Sequence, residues 1–338
     1  MNLASKITKI HYDKNAKGIL FRVLEICSLF YGFGSRLKNY LYDSNIIKPK
    51  SVSAYVISVG NVTTGGVGKT PVVSKIAKYF ISKGEKTAVI SRGYGGELPN
   101  KQINVISDGQ NIFYNARLAG DEPYWLAQNT IGAVVITSKN RAEAAKFAIE
   151  KYGVTKIVLD DGFQHRKIKR DLDIVLVDSE KLYGNEHLLP AGPLREGKEA
   201  FNRIDKMVIV SKNTDHTKAE KLAKITSKKM NIPTILCKTE PDYVYNIKTG
   251  EILKDDTEAT AVSAIGQPEQ FYKFLGNYRI TNTKTFDDHH QYEAADLPEG
   301  TIITTEKDAV KMKDFNRDDI YALKLRTDID VEKLLYEN

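Results

Sequence analysis

The chain has 338 residues, of which 41% are hydrophobic and 28% charged, a composition typical of a soluble globular protein with about two domains. Its two cysteines, Cys27 and Cys237, are far apart and match no metal-ligand spacing, which argues against a disulfide framework or a zinc site. Residues 1–50 carry nine Lys and Arg against three Asp and Glu, and so supply +6 of the net charge of +7. Because the remaining chain is nearly neutral, we expect no nucleic-acid partner.

An amphipathic helix is predicted near the N-terminus. Its apolar residues recur at helical spacing, at Ile19, Val23, Ile26, Phe30, Leu37 and Leu41. Residues 19–33 are too few and too charged to span a bilayer. Flanking cations and aromatic residues are typical of a helix that lies in a membrane interface. Packing of this stripe on the protein's own core is an equal alternative, and one helix can do both, with one side on the body and its rim on lipid.

The body of the chain alternates strands and helices. Strands are predicted at residues 55–59, 87–91, 104–106, 133–137, 156–160, 172–178 and 206–211, and helices at 72–82, 124–128, 141–152 and 218–229. This alternation predicts an α/β fold with a doubly wound, mostly parallel sheet. Shorter runs at 243–247, 259–264, 301–305 and 319–323 predict a second, smaller C-terminal α/β domain. We therefore expect an N-terminal segment 1–50, a core 51–231 and a C-terminal domain 232–338.

The sequence SVGNVTTGGVGKTP at residues 58–71 joins the first predicted strand to a helix, the context of a phosphate-binding loop. Glycines let backbone N–H groups approach phosphate oxygens, and the helix N-terminus adds its positive dipole end. Lys69 can reach the outer phosphates, and Thr70 can hold Mg²⁺. Thr63 stands where the usual pattern has its first glycine. The alternative is a glycine-rich turn before an ordinary helix.

Acidic residues follow two of the predicted elements. Asp160 and Asp161 end an apolar strand and could hold Mg²⁺ opposite the loop, although Asp-Asp-Gly also suits a solvated turn. Asp121 precedes a helix, where a capping role is favoured over that of a catalytic base by the sequence alone. The sequence FDDHHQY at 286–292 could bind a metal or form an Asp–His relay, and the relay is favoured of the two because the spacing matches no zinc motif. A polar loop with solvated histidines is favoured over both when this segment is taken alone.

These segments occur together, in order, in one known family. They are SVGNVTTGGVGKTP, SRGYG at 91–95, GDEP at 120–123, DDGFQHR at 160–166, LPAGPLRE at 189–196, DHH at 288–290 and TEKD at 305–308. Through nearly its whole length the chain resembles the tetraacyldisaccharide 4'-kinase (lipid A 4'-kinase) family, which shares the threonine at position 63. The resemblance implies a P-loop kinase core with a smaller C-terminal domain.

The resemblance also implies a reaction and a set of site residues. The γ-phosphate of ATP would pass to the 4'-hydroxyl of an acylated glucosamine disaccharide 1-phosphate at the cytoplasmic face of the bacterial inner membrane. Asp121 would be the base, assisted by His289, with His290 as the alternative. Arg92, Gln164 and His165 would be neighbours of the site. ATP would bind at Thr63, Thr64, Gly65, Gly66, Val67, Gly68, Lys69 and Thr70, and Mg²⁺ at Thr70, Asp160 and Asp161.

Two other classes of protein remain as alternatives. One is a P-loop ATPase or GTPase switch, or a chaperone, that acts on a protein partner; the absence of an Asn-Lys-x-Asp sequence weakens its GTPase form. The other is a membrane-docked binding module without activity, against which the presence of Lys69, Asp121 and the Asp160–Asp161 pair argues. The expected partners are ATP, the lipid acceptor and a membrane surface, and the expected state is a monomer.

Overall fold

A computed structural model describes residues 3–213, 215–266, 268–287 and 290–337. Its strands are β1 (Tyr55–Asn61), β2 (Thr87–Ser91), β3 (Asn104–Asp108), β4 (Val134–Thr137), β5 (Lys156–Asp160), β6 (Leu172–Asp178), β7 (Lys206–Ser211), β8 (Thr234–Asn246), β9 (Glu258–Ser263), β10 (Arg279–Thr285), β11 (Ile302–Thr305) and β12 (Ile320–Asp328). Its helices are α1 (Leu3–Tyr12), α2 (Ile19–Asp43), α3 (Lys69–Ser82), α4 (Ala116–Ala119), α5 (Asp121–Asn129), α6 (Arg141–Tyr152), α7 (Thr217–Met230), α8 (Pro268–Lys273), α9 (Glu306–Met312) and α10 (Val331–Tyr336). Short 3₁₀ helices span Lys198–Arg203 and Ala294–Asp296.

The strands of the described residues form one sheet in the order β10-β9-β11-β12-β8-β7-β6-β1-β5-β2-β4-β3. All neighbouring pairs are parallel except β12 with β8 and β3 with β4. The predicted mostly parallel α/β sheet is therefore confirmed. Because parallel strands end at a common edge, β1, β2, β5, β6 and β7 bring the segments that follow them together.

Helices cover both faces of this sheet, as a doubly wound fold requires. Alternate side chains of β1 enter different clusters: Ile57 packs with α3, α5 and α10, while Val56 packs with α6. α7 covers the strands β6 and β7 on the face opposite α3, through Ala219 and Ala223. Parallel strands buried on both faces are near-continuous apolar runs, which is why the sequence located them well.

The C-terminal residues continue the same sheet rather than starting a separate one. β8 pairs in parallel with β7 and antiparallel with β12, so strand pairing runs across the expected boundary between residues 231 and 232. The division into domains therefore stays a prediction. α1, α4, α8, α9, α10, β10 and the first half of β8 were not predicted. β10 is a mostly exposed edge strand with polar side chains, so it lacks the apolar alternation that identifies strands.

The predicted N-terminal helix is present as α2, and its apolar stripe faces outward. Ile19, Val23, Ile26, Phe30 and Leu37 are exposed, and Phe30 retains 76% of its surface. The stripe therefore does not pack on the core of the described protein. None of the helices in the described ranges combines the length and apolarity that crossing a bilayer requires.

The opposite side of α2 packs on the protein. Phe21, Leu24, Ser28 and Asn39 are buried on this side. The Ser28 hydroxyl donates to the Leu188 carbonyl at 2.9 Å. These contacts fix α2 to the loop that follows β6.

Candidate active site

The loop between β1 and α3 has the backbone that phosphate binding requires. Gly65 and Gly68 have φ angles of 102° and 88°, in the region that L side chains rarely adopt. Gly68 is the N-cap of α3, so the free N–H groups of the first helical turn point toward the loop. This end of α3 can therefore bind an anion.

The structure explains why threonine stands at position 63. Thr63 is buried and forms an antiparallel bridge with Leu194. The N–H of Thr64 donates to the Pro193 carbonyl at 2.8 Å, and the N–H of Arg195 donates to the Val62 carbonyl at 2.8 Å. The first half of the loop is thus an extended strand-like segment, where a β-branched residue is favoured over glycine.

Lys69 points from the start of α3 toward the ends of β1 and β5. Its Nζ donates to Oδ1 of Asn61 at 3.2 Å and lies 3.4 Å from Oδ1 of Asp161. The side chain is only 14% exposed. The ammonium is thus held between the loop and the predicted metal ligands, where it can meet the outer phosphates of a bound nucleotide.

Asp160 is a buried carboxylate at the end of β5. It is 3% exposed, and its Oδ1 has no hydrogen-bond partner in the described part of the chain. Burial and the neighbouring charges of Glu122 and Asp161 raise the pKa of Asp160 to about 7. Lys69 and Arg141 act in the opposite direction without cancelling the effect. A buried, under-coordinated oxygen of this kind suits a cation.

Asp161 has the opposite environment. Arg195 Nη1 lies 2.9 Å from each of its carboxylate oxygens. Burial raises the pKa of Asp161, but Lys69 and Arg195 outweigh this effect and hold it at about 2. Its backbone is left-handed, with φ at 52°. The buried guanidinium of Arg141 donates to the Asp161 carbonyl at 2.7 Å and so supports this strained residue.

The two neighbours expected in the loop after β5 differ in their contacts. Gln164 Nε2 donates to the Asn61 carbonyl at 2.9 Å, which ties this loop to the end of β1. Burial, together with Arg141 and nearby lysines, lowers the pKa of His165 to about 3. His165 is therefore neutral at physiological pH and adds no charge to the site.

Asp121 is the first residue of α5, and Gly120 occupies the N-cap position. Asp121 is therefore not the capping residue that the sequence alone favoured. It is 2% exposed, and its Oδ2 lies 2.9 Å from Nζ of Lys311 on α9. A buried carboxylate thus faces the C-terminal part of the chain.

His289 lies outside the described residues, so the structure gives no position for it. His290 stacks on Phe286 with ring centroids 4.4 Å apart, and its Nε2 lies 3.0 Å from Oδ2 of Asp296. The carbonyl of His290 accepts a hydrogen bond from Nζ of Lys311 at 2.9 Å. The described imidazole of this segment is therefore engaged with Asp296.

Lys212 supports the phosphate loop from the end of β7. Its Nζ donates to the Gly66 carbonyl at 2.7 Å and lies 3.3 Å from Oδ2 of Asp178. This cation holds the outer part of the loop against the sheet edge, and no sequence motif indicated it.

Comparison with known proteins bears on what this edge of the sheet does. A family model described as "Tetraacyldisaccharide-1-P 4'-kinase" matches residues 20–337. The chain belongs to this kinase family. Among its relatives, the tetraacyldisaccharide 4'-kinase of Halothermothrix orenii is 37% identical, with 90% of this chain and 85% of the relative covered. The tetraacyldisaccharide 4'-kinase of Desulfotalea psychrophila is 36% identical, with 94% and 95% covered.

A solved structure of the same family agrees with the fold. The crystal structure of the "apo" form of LpxK from Aquifex aeolicus in complex with ATP is 30% identical. It superposes with a TM-score of 0.76 and covers 94% of this chain and 99% of that one. The resemblance and the fold predicted from the sequence are therefore confirmed.

For this kinase family member, the structure brings most of the predicted site residues to one edge of the sheet. Lys69 approaches Asp161, and Asp160 lies beside it at the end of β5. Thr70 follows Lys69 in the first turn of α3 and is half-buried. The sequence did not single out the partners of these residues, which are Asn61, Arg141, Arg195, Lys212 and Lys311. Two of these partners had a signal, because Asn61 lies in the SVGNVTTGGVGKTP segment and Arg195 in the LPAGPLRE segment.

Proposed function

We propose that this protein transfers the γ-phosphate of ATP to the 4'-hydroxyl of tetraacyldisaccharide 1-phosphate, a lipid A precursor. The observation that carries the proposal is the kinase family match over residues 20–337. The arrangement of the site supports it: a phosphate loop ending in Lys69 faces two carboxylates at the end of the neighbouring parallel strand. Phosphoryl transfer depends mainly on positioning and charge stabilisation, and these residues can supply both.

The assigned roles follow from this arrangement. Residues 63–70 bind the phosphates of ATP, and Lys69 contacts them because the triphosphate carries more negative charge than the single carboxylate of Asp161. Asp121 accepts the proton of the acceptor hydroxyl, with His289 as its assistant. Asp121 is 2% exposed and faces the ammonium of Lys311. This supports a role in the site, because a buried carboxylate is costly to keep.

Magnesium is expected at Thr70, Asp160 and Asp161. The orphaned Oδ1 of Asp160 fits a cation, and burial, followed by the charge of Glu122, raises the pKa of Asp160 to about 7. Within the described ranges, no group of three or more His, Cys, Asp or Glu side chains converges on one point. Magnesium bound by one or two carboxylates and completed by phosphate oxygens needs no such group. When bound, it neutralises charge on the phosphate oxygens.

A membrane surface is the place where this reaction would occur. α2 exposes Ile19, Leu29, Phe30 and Phe33, each of which is more than two-thirds exposed. The N-terminal 50 residues carry most of the net positive charge, which favours an anionic surface. We therefore place the protein, as a monomer, on the cytoplasmic face of the bacterial inner membrane, held in the interface by α2.

One assay tests the reaction. Purified protein is incubated with Mg-ATP and tetraacyldisaccharide 1-phosphate in detergent micelles, and transfer of labelled γ-phosphate to lipid is measured. The matched control is the same lipid without a 4'-hydroxyl, which should accept no phosphate. Transfer that requires the 4'-hydroxyl supports the proposal. ATP hydrolysis at the same rate with both lipids would contradict it and favour the nucleotide-hydrolysing switch.

A further inference from the structure

Lys311 is a buried cation that no motif of the sequence marked. It lies on α9, and its side chain is 3% exposed. Its Nζ is 2.9 Å from Oδ2 of Asp121 and 3.8 Å from Oδ1 of Asp308, and it donates to the His290 carbonyl at 2.9 Å. A buried ammonium is costly unless carboxylates and hydrogen bonds compensate it. This lysine therefore occupies a site built around it.

Three of the residues around Lys311 belong to the C-terminal part of the chain, namely Asp308, His290 and Tyr292. Oδ2 of Asp308 accepts from the Ala264 N–H at 3.0 Å and from the Thr305 hydroxyl at 2.8 Å. Asp308 is thereby held in place and turns its other oxygen toward Lys311. The Tyr292 ring lies 5.8 Å from Nζ on another side. Residues of the C-terminal part of the chain thus hold the ammonium in place, and it contacts Asp121 where α9 packs against α5.

We propose that Lys311 is a positioning residue for Asp121 in phosphoryl transfer. Through its ion pair, Lys311 keeps the Asp121 carboxylate ionised and fixes its orientation toward the acceptor hydroxyl. This proposal rests on the proposed function and deepens it. It makes the reactive geometry of the base depend on the C-terminal part of the chain, because α9 must be docked on α5 for the pair to form.

The charges that face this carboxylate come from several elements. Lys311 faces it from α9, and Asp308 lies 3.8 Å from Lys311 on the same helix. Tyr292, in the segment that follows β10, interacts with Asp121 electrostatically. Glu122 is its neighbour on α5. Because Lys311 is a cation paired with this carboxylate, its removal disfavours the ionised form of Asp121. The acid limb of the pH–rate profile then moves to higher pH.

The first experiment compares Lys311→Met and Lys311→Arg in the micelle assay with Mg-ATP. We expect Lys311→Met to lower kcat by about 10²-fold, within the usual contribution of a positioned base, and to shift the acid limb of kcat/KM to higher pH. The KM for ATP should change less than about twofold, because neither Lys311 nor Asp121 belongs to the phosphate loop at residues 63–70. Lys311→Arg should restore the position of the limb, since it keeps the charge. Lys313→Met, an exposed lysine at the end of the same helix, is the matched control and should behave as wild type.

A double-mutant cycle keeps the test decisive if Lys311→Met folds poorly. In an Asp121→Asn background the buried pair has already lost its anion, so adding Lys311→Met should lower kcat by less than about twofold if Lys311 acts through Asp121. The proposal would be overturned if the fold-losses in kcat of the two single variants multiply in the double variant. It would also be overturned if the acid limb of kcat/KM in Lys311→Met stays where it is in wild type. Wild-type protein without acceptor-dependent transfer would instead refute the proposed function, so the two failures are distinguishable.

Discussion

Replacing Asp160 with asparagine should stabilise the metal-free protein and abolish its activity. Asp160 is 3% exposed, its Oδ1 has no hydrogen-bond partner in the described chain, and its pKa lies at about 7 against an ordinary value of 3.8. The folded protein must therefore ionise a carboxyl group in an environment that resists ionisation. An asparagine side chain at this position would have nearly the same shape without that charge.

The size of the effect follows from the pKa shift. A group whose pKa is higher in the folded than in the unfolded protein contributes stability at pH values below its unfolded pKa. That contribution is lost as the pH rises through its folded pKa. A rise from 3.8 to about 7 corresponds to about 4 kcal/mol at about 1.4 kcal/mol per pKa unit. More than a third of this is already lost at pH 5, so the stability of the Asp160→Asn variant relative to wild type should increase by about 2–3 kcal/mol as the pH rises from 5 to 8.

The assay is urea unfolding of both proteins in EDTA at pH 5, 6, 7 and 8. The free energy of unfolding of wild type should fall relative to that of the variant across this window. Asp255→Asn, which changes an exposed carboxylate, is the control. Its free energy of unfolding should change with pH in the same way as that of wild type. Mg-ATP should then stabilise wild type more than the variant, because the carboxylate is a ligand that asparagine replaces poorly.

Two results would contradict this reasoning. If the stability difference between Asp160→Asn and wild type stays constant from pH 5 to pH 8, Asp160 is not titrating in this window. If the variant keeps near-normal turnover with Mg-ATP, Asp160 is not a metal ligand. Stability gained at the expense of activity is the pattern expected of a strained functional residue.

Further substitutions test the other parts of the site. Lys69→Ala and Asp121→Ala should each lower turnover by about 10²-fold or more, because both remove charge from the site of phosphoryl transfer; near-normal acceptor phosphorylation would exclude the catalytic role of the changed residue. Asn39→Ala should destabilise the protein by about 1–3 kcal/mol in urea, because Oε1 of the buried Glu196 loses its 2.9 Å donor; an unchanged midpoint would refute this. Phe30→Ser should weaken binding to anionic vesicles in a flotation assay while the melting temperature stays unchanged, and equal binding would contradict the interfacial role of α2.

The core strands and the phosphate loop were predictable from the sequence because their signals are local. β1, β5 and β6 are continuous apolar runs, and the loop before α3 has glycines at the positions that need positive φ. The pair Asp160–Asp161 was found because it follows such a strand directly. The different environments of these two acids were not predictable, since they depend on Arg195 from the loop after β6 and on Glu122 from α5.

The interpretation of Asp121 shows the limit of local reasoning. Acids at a helix start are usually caps, so the sequence alone favoured that role. The structure places Gly120 at the cap and pairs Asp121 with Lys311 on α9. Nothing near Asp121 in sequence indicates this partner, because the contact depends on how the C-terminal strands bring α9 against α5.

The sequence by itself determined the family, the P-loop α/β core, the order of its strands along the chain and the amphipathic character of α2. The tertiary structure decided which way the apolar stripe of α2 faces, why Thr63 replaces a glycine, and which cations neutralise Asp121 and Asp161. The physical reason is the range of the interactions. Backbone conformation and apolar periodicity act between neighbours in the chain, whereas the charge and burial of a site residue are set by groups that only folding brings to it.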